Sequence, residues 1–258
     1  MEQAFSQAFS QAFSLPDFNH RMLGVAVTAV LDALDQGPGA WHFRLFGTEV
    51  RVQPWFWLTI IFAGGRDDAR AALIWIAVCF VSILLHEFGH VGAMRLVGER
   101  PEVVLSAYGG LTRSNRLTMR STATQLLVSL AGPAAGFCFA ALILAVDRAA
   151  GAHAGAPYIN LLFHDLMYVN VGWGLVNLLP IYPLDGGQST RALLEHYNPQ
   201  QGKRRSLLLS AITAAVVAVV GVFLSSIFVV ILFGVLGAAS AQEFEKLRPT
   251  LKRDYRHF

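Results

Sequence analysis

Charged residues are scarce in this 258-residue chain, where Asp, Glu, Lys and Arg together make up 14% of the sequence. Hydrophobic residues make up 54%, and the mean hydropathy is +0.48. This balance excludes an ordinary soluble globule and is typical of a polytopic membrane protein. The sequence therefore predicts that most of the chain lies in a lipid bilayer.

Other features are missing as well. The two cysteines, Cys79 and Cys138, lie in apolar runs, which excludes a disulfide framework and a thiolate metal site. No basic stripe with interleaved aromatic residues accompanies the pI of about 9.1, so nucleic acid is not an expected partner. The N-terminal region has no basic run followed by an A-x-A site, so no cleaved signal peptide is predicted.

The stretch Leu73–Met94 is apolar for about 22 residues and would form a helix of roughly 33 Å. It contains the motif HExxH at residues 86–90. Residues four apart share a helix face, so His86 and His90 can bind one metal ion, and Glu87 can act as a general base towards water. A chance match is the alternative. Ionisable groups at membrane depth are costly and therefore indicate function, provided that a third ligand exists.

Six membrane spans are predicted from the apolar runs. With both termini in the cytosol, 17 of the 20 Lys and Arg residues fall on the cytosolic side, which decides the orientation. The predicted spans cover about 54–63, 73–94, 123–146, 158–180, 207–222 and 226–240.

Two short segments have strand character. Residues 41–52 alternate apolar and polar side chains around Gly47, and residues 102–112 combine a strand with a turn at Gly109 and Gly110. The predicted fold class is therefore an all-α polytopic membrane protein with β-hairpin or re-entrant segments near 41–52 and 102–112.

The sequence divides into three regions. We expect residues 1–40 to form a cytosolic tail, 41–240 the membrane domain and 241–258 a charged cytosolic tail. Three QAFS repeats at 3–14 indicate a low-complexity tail rather than an interfacial anchor, and 22–34 is predicted to be a short helix at the membrane surface.

The segment at 177–187, NLLPIYPLDGG, ends the fourth predicted span. Its two prolines break a helix, and irregular backbone at membrane depth persists only when it is buried or lines a cavity. Asp185 can supply the third zinc ligand, and the spans' directions bring it to the same membrane side as His86. A simple cytosolic turn is the alternative. Asp165 is a rival ligand, or else forms a polar pair with His164 or lines a water path.

The HEFGH motif at 86–90 and NLLPIYPLDGG at 177–187, each in an apolar span, resemble those of the site-2 protease family of intramembrane zinc metalloproteases. Weaker similarities are a Gly-Gly pair at 109–110, Ala-Gly-Pro at 131–133 and Asn170. The family often has an asparagine three or four residues after this Gly-Pro, where this chain has Gly136. The family's PDZ and CBS modules are not expected, because too few residues follow the last span.

The resemblance implies a protease with one Zn²⁺ per chain, in contact with lipid and acting on transmembrane proteins. A bacterial inner membrane is the expected location, and the oligomeric state is not predicted. A substrate could pair with a strand at 102–108. The implied roles are metal ligand for His86, His90 and Asp185, general base for Glu87, and substrate binding or site orientation for Asn177, Asn170, Gly109 and Gly110.

Two other functions compete with this one. Broken membrane helices with ionisable residues also occur in metal-ion transporters, but HExxH and LDGG each occur once here, without internal repeats. A catalytically inactive membrane scaffold is the second alternative, and the intact Glu87 disfavours it.

Overall fold

The computed structural model describes residues 39–66, 68–107, 109–114, 121–150 and 157–247. The QAFS repeat, the predicted surface helix at 22–34 and the end of the C-terminal tail lie outside the described residues.

Helices account for most of the described chain. They are α1 (Pro54–Gly64), α2 (Ala69–Leu96), α3 (Thr122–Ala150), α4 (Pro157–Met167), α5 (Gly174–Asn177), α6 (Asp185–Tyr197), α7 (Gly202–Phe223) and α8 (Ile227–Lys246). A π-helical segment, Tyr168–Trp173, joins α4 directly to α5.

Four helices, α2, α3, α7 and α8, are long and apolar enough to cross a membrane. Six spans are not confirmed. The predicted first span is the shorter apolar helix α1, and the predicted fourth span consists of α4, the π-helical segment and α5, which follow one another without a gap. The π-helical hydrogen-bond pattern lies seven to twelve residues before Pro180, and the helix ends at Asn177, ahead of that proline. The helix α3, in contrast, continues through Pro133.

One four-stranded sheet accompanies the helices. Its strands are β1 (Trp41–Leu45), β2 (Thr48–Val52), β3 (Pro101–Ser106) and β4 (Gly109–Ser114), in that spatial order. The antiparallel pairs β1–β2 and β3–β4 are the two predicted hairpins, and a parallel pairing of β2 with β3 joins them. Because β2 and β3 each have a neighbour on both sides, β1 and β4 are the edge strands of the described sheet.

The sheet packs along α2 through its β-branched and leucine side chains. Val50 and Val103 are completely buried, and they form one apolar cluster with Phe56 of α1 and Val78 of α2. The sheet is therefore fixed to the helix that carries the HExxH motif.

A buried ion pair ties the α1–α2 connection to α4. Arg66 Nη2 donates to Asp165 Oδ1 over 2.6 Å, and the Asp165 side chain has no exposed surface. The Arg66 guanidinium also lies 5.4 Å from the centre of the Trp75 ring. His164 Nδ1 lies 3.4 Å from the same carboxylate oxygen. Asp165 therefore contacts both His164 and Arg66, and the contact with Arg66 is the shorter one.

Replacing Arg66 with methionine should lower the free energy of unfolding by about 3 kcal/mol, because a buried carboxylate would lose its cationic partner. The double variant Arg66→Met/Asp165→Leu should recover much of this loss, since no charge is then left unpaired. The measurement is unfolding in detergent by circular dichroism. Arg70→Met, which removes a guanidinium stacked on Tyr158, is the matched control. Equal melting of native protein and Arg66→Met would contradict the prediction.

Candidate metal centre

Three buried side chains converge at the C-terminal half of α2. His86 Nε2 lies 3.0 Å from Asp185 Oδ2 and 3.2 Å from His90 Nε2, and His90 Nε2 lies 3.3 Å from Asp185 Oδ1. The three candidate ligand atoms all lie within 4.8 Å of one another. The spacing of four residues explains why the imidazoles meet, because both lie on the face of α2 that is turned towards α3 and α6.

Asp185 is the first residue of α6, and the preceding irregular segment places it. Gly186 and Gly187 lie so close to the backbone of Leu178 and Ile181 that an added Cβ atom would collide with main-chain atoms. Two serines fix the segment from outside, because Ser210 Oγ accepts from Tyr182 N and Ser240 Oγ donates to Tyr182 O. The glycine pair of LDGG therefore serves backbone packing, and α7 and α8 support the aspartate.

A contact behind His90 selects the tautomer that metal binding needs. His90 Nδ1 lies 2.7 Å from the carbonyl oxygen of Val128 on α3. Because a carbonyl only accepts, Nδ1 carries the hydrogen, and Nε2 presents its lone pair to the cluster. The same helix that packs on α2 therefore orients one candidate ligand.

The donor set and the space around it fit a zinc ion. Two imidazole nitrogens and one carboxylate are a normal catalytic zinc set that leaves a fourth position for water or substrate. Gly132 of α3 faces both imidazoles, and an added Cβ there would lie 2.7 Å from His86 Nε2 and closer still to His90 Nε2. Asp185 brings one carboxylate oxygen to 3.0 Å from His86 Nε2 and the other to 3.3 Å from His90 Nε2, so both oxygens face the cluster.

Glu87 lies beside the cluster and is held by strand β4. Thr112 Oγ1 donates to Glu87 Oε2 over 2.6 Å, and the same hydroxyl lies 3.2 Å from the Glu87 carbonyl oxygen. Gly110 of β4 packs directly on the carboxyl group, where an added Cβ atom would collide with it. Sequence reasoning missed Thr112. The available signal was its position two residues after Gly110, because alternate residues of a strand share a face.

The structure places the remaining predicted residues outside the group of His86, His90 and Asp185. Asn170, in the π-helical segment, is buried and donates to Ser82 Oγ and Leu166 O, both over 2.8 Å. Asn177 is buried at the C-terminal end of α5, and Gly109 lies against the Trp173 ring. Asp165 is not part of the group, since its carboxylate is paired with Arg66.

Comparisons with known proteins agree with this arrangement. The model of peptidase family M50 matches residues 148–220, a range that contains Asp185 but not HExxH. The chain is 27% identical over 157 residues to zinc metalloprotease MJ0392 of Methanocaldococcus jannaschii, covering 59% of this chain. It is 35% identical over 115 residues to Rip3 of Mycobacterium tuberculosis, a candidate zinc metalloprotease, covering 44% of this chain.

These alignments cover 44% and 29% of the two relatives' own lengths, respectively, so the chain spans less than half of each curated relative. The fold is similar to that of the solved site-2 protease from Methanocaldococcus jannaschii, with a TM-score of 0.60 at 21% identity. That match covers 80% of this chain and 95% of the other.

The helices and the buried His-His-Asp group define an integral membrane protein with the site-2 protease fold. The family match over residues 148–220 and the two metalloprotease relatives show that part of this chain is similar to peptidase family M50.

Gly132→Ala should abolish zinc binding, because the added methyl group would project towards the Nε2 atoms of His86 and His90. The measurement is zinc per chain in purified protein, by mass spectrometry of the metal. Gly92→Ala is the matched control, since it changes a glycine of α2 with open space around it and should keep its zinc. Full zinc content in Gly132→Ala would show that the ion is bound elsewhere.

Proposed function

We propose that this protein is an intramembrane zinc metalloendopeptidase that cleaves peptide bonds of transmembrane proteins. The observation that supports this function most directly is the position of Glu87. It follows the first histidine of the His-His-Asp group, is held by Thr112, and lies on a helix that can cross a membrane. Residues 41–240 form the protease domain in this proposal.

Each residue of the site has a part in this hydrolysis. His86, His90 and Asp185 hold the zinc ion, which supplies a Lewis acid and lowers the pKa of water. Glu87 accepts a proton from the attacking water at a carboxylate oxygen and later donates it to the leaving nitrogen. Thr112 keeps the carboxylate in one orientation during both transfers. The products are a new carboxylate and a new amine, so the atoms of one water molecule are fully consumed.

The substrate would bind as an extended strand at β4. The segment predicted for this pairing, residues 102–108, lies mostly in β3, which already has two neighbours. The strand β4 is an edge strand, and its residues Gly110 and Thr112 touch Glu87. An unwound substrate paired there would bring its backbone carbonyls close to the base.

The membrane topology completes the proposal. Two further crossings are supplied by α1 and by the α4–α5 segment, which together with the four long helices give six. Both termini then face the cytosol, because this orientation places most Lys and Arg residues there. The inner membrane of a bacterium is the proposed location.

Membrane-protein fragments should appear in cells that carry the native chain and disappear in cells that carry Glu87→Gln, because the amide cannot accept the proton. The comparison is by quantitative mass spectrometry of membrane fractions. Zinc content distinguishes the role of the base from the role of a metal ligand. Glu87→Gln should keep about one zinc per chain, and Asp185→Ala should lose it. Identical fragment patterns, or native protein without zinc, would contradict a metalloprotease.

Thr112→Val should lower kcat about tenfold on a substrate found in that comparison, because the Glu87 carboxylate loses its orienting hydroxyl. KM and zinc content should stay unchanged. Thr112→Ser keeps a hydroxyl at this position and should restore most of the rate. Equal rates in Thr112→Val and native protein would show that the hydroxyl does not position the base.

A further inference from the structure

A small cavity lies directly behind the candidate metal centre, between α2, α3 and the π-helical segment. Its volume is about 10 Å³, counted as space for the centre of a water molecule. This is close to the smallest space that holds one water. The lining residues are Ser82, His86, Gly136, Val169, Asn170, Trp173 and Gly174.

Asn170 brings an unsatisfied acceptor to this cavity. Its side-chain nitrogen is fully used, because it donates to both Ser82 Oγ and Leu166 O. Its Oδ1 atom is buried and has no hydrogen-bond partner among the described residues. A buried carbonyl oxygen without a partner is unfavourable, so such atoms in folded proteins are usually satisfied by ordered water.

His86 brings a donor. Its Nε2 atom faces Asp185 and His90, so Nδ1, on the other side of the ring, carries the hydrogen when Nε2 binds a metal. The equivalent nitrogen of His90 has a partner in Val128 O, whereas none of the described residues supplies one for His86 Nδ1. Ser82 adds a second donor, because its oxygen accepts from Asn170 and its hydroxyl hydrogen is still available.

We propose that this cavity is a binding site for one ordered water molecule. The water accepts from His86 Nδ1 and Ser82 Oγ and donates to Asn170 Oδ1. Its polar partners number three, the usual coordination of a buried water. Asn170 thereby becomes a positioning residue that fixes the orientation of His86 through the water. The inference rests on the proposed function in one respect, the role of His86 as a metal ligand.

Gly136 leaves the space that this water occupies. An added Cβ atom there would lie 3.5 Å from Asn170 O and 3.7 Å from Asn170 Oδ1, which is ordinary contact without a collision. Because Gly136 lines the cavity, a methyl group at this position would enter the space that the water would occupy.

The test is the zinc dissociation constant of the full-length protein in detergent, measured by competition with a chelator. Gly136→Ala fills the cavity without removing a hydrogen-bonding group and should weaken zinc binding about tenfold, as loss of a ligand's outer partner does. Asn170→Ala should weaken it to a similar degree. The double variant should be no weaker than either single variant, because all three lack the same bridge.

Gly234→Ala, which adds a methyl group in open space on α8, is the control and should bind zinc like the native protein. Native affinity in Gly136→Ala would overturn the water site, and so would additive losses in the double variant. If Asn170→Ala does not fold, Gly136→Ala alone decides. If the native protein and Gly136→Ala bind zinc equally well, only the water site is refuted. Native protein that binds no zinc refutes the metalloprotease as well.

Discussion

The close contact between α2 and α3 is the constraint on which the candidate centre depends. Gly89 has no side chain, so α2 can lie against the backbone of Ala131, and Gly132 leaves room beside the imidazoles. At this separation the Val128 carbonyl reaches His90 Nδ1. Hydrophobic burial gives little advantage between helices in lipid, so small residues and such hydrogen bonds hold the helices together. Gly89 therefore allows the helices to come into contact, and Gly132 leaves the space for a metal ion between them.

The fold handles two buried polar groups in different ways. At the centre, three ligand side chains from α2 and α6 converge on one point and leave a position for an ion. Near the start of α2, Arg66 neutralises Asp165 within the protein. Both arrangements avoid an uncompensated buried charge, but only the first leaves a free coordination position. The difference explains why Asp165, although an acidic residue in an apolar helix, takes no part in the centre.

Local patterns predicted the parts of the site that depend on nearby residues. The spacing of His86 and His90 defines one helix face, and the proline-glycine pattern around Asp185 indicates irregular backbone with an aspartate at its end. Thr112 could not be assigned in the same way, because its contact with Glu87 depends on how β4 docks against α2. The parallel pairing of β2 with β3 likewise joins segments that are far apart in sequence. The π-helical segment within the fourth predicted span is also not revealed by apolar composition.

That parallel pairing also constrains the order in which the protein is assembled. The strands β2 and β3 flank α1 and α2 in the chain, so they can meet only after both helices have been made and positioned. Forming such a non-local pair is slow compared with forming a helix. Thr112 lies on the strand that joins β3, so Glu87 gains its hydroxyl partner late. During biosynthesis the helix that carries the histidines is therefore complete before the strand that holds Glu87 has been made, so the nascent chain carries the motif before it has a completed site.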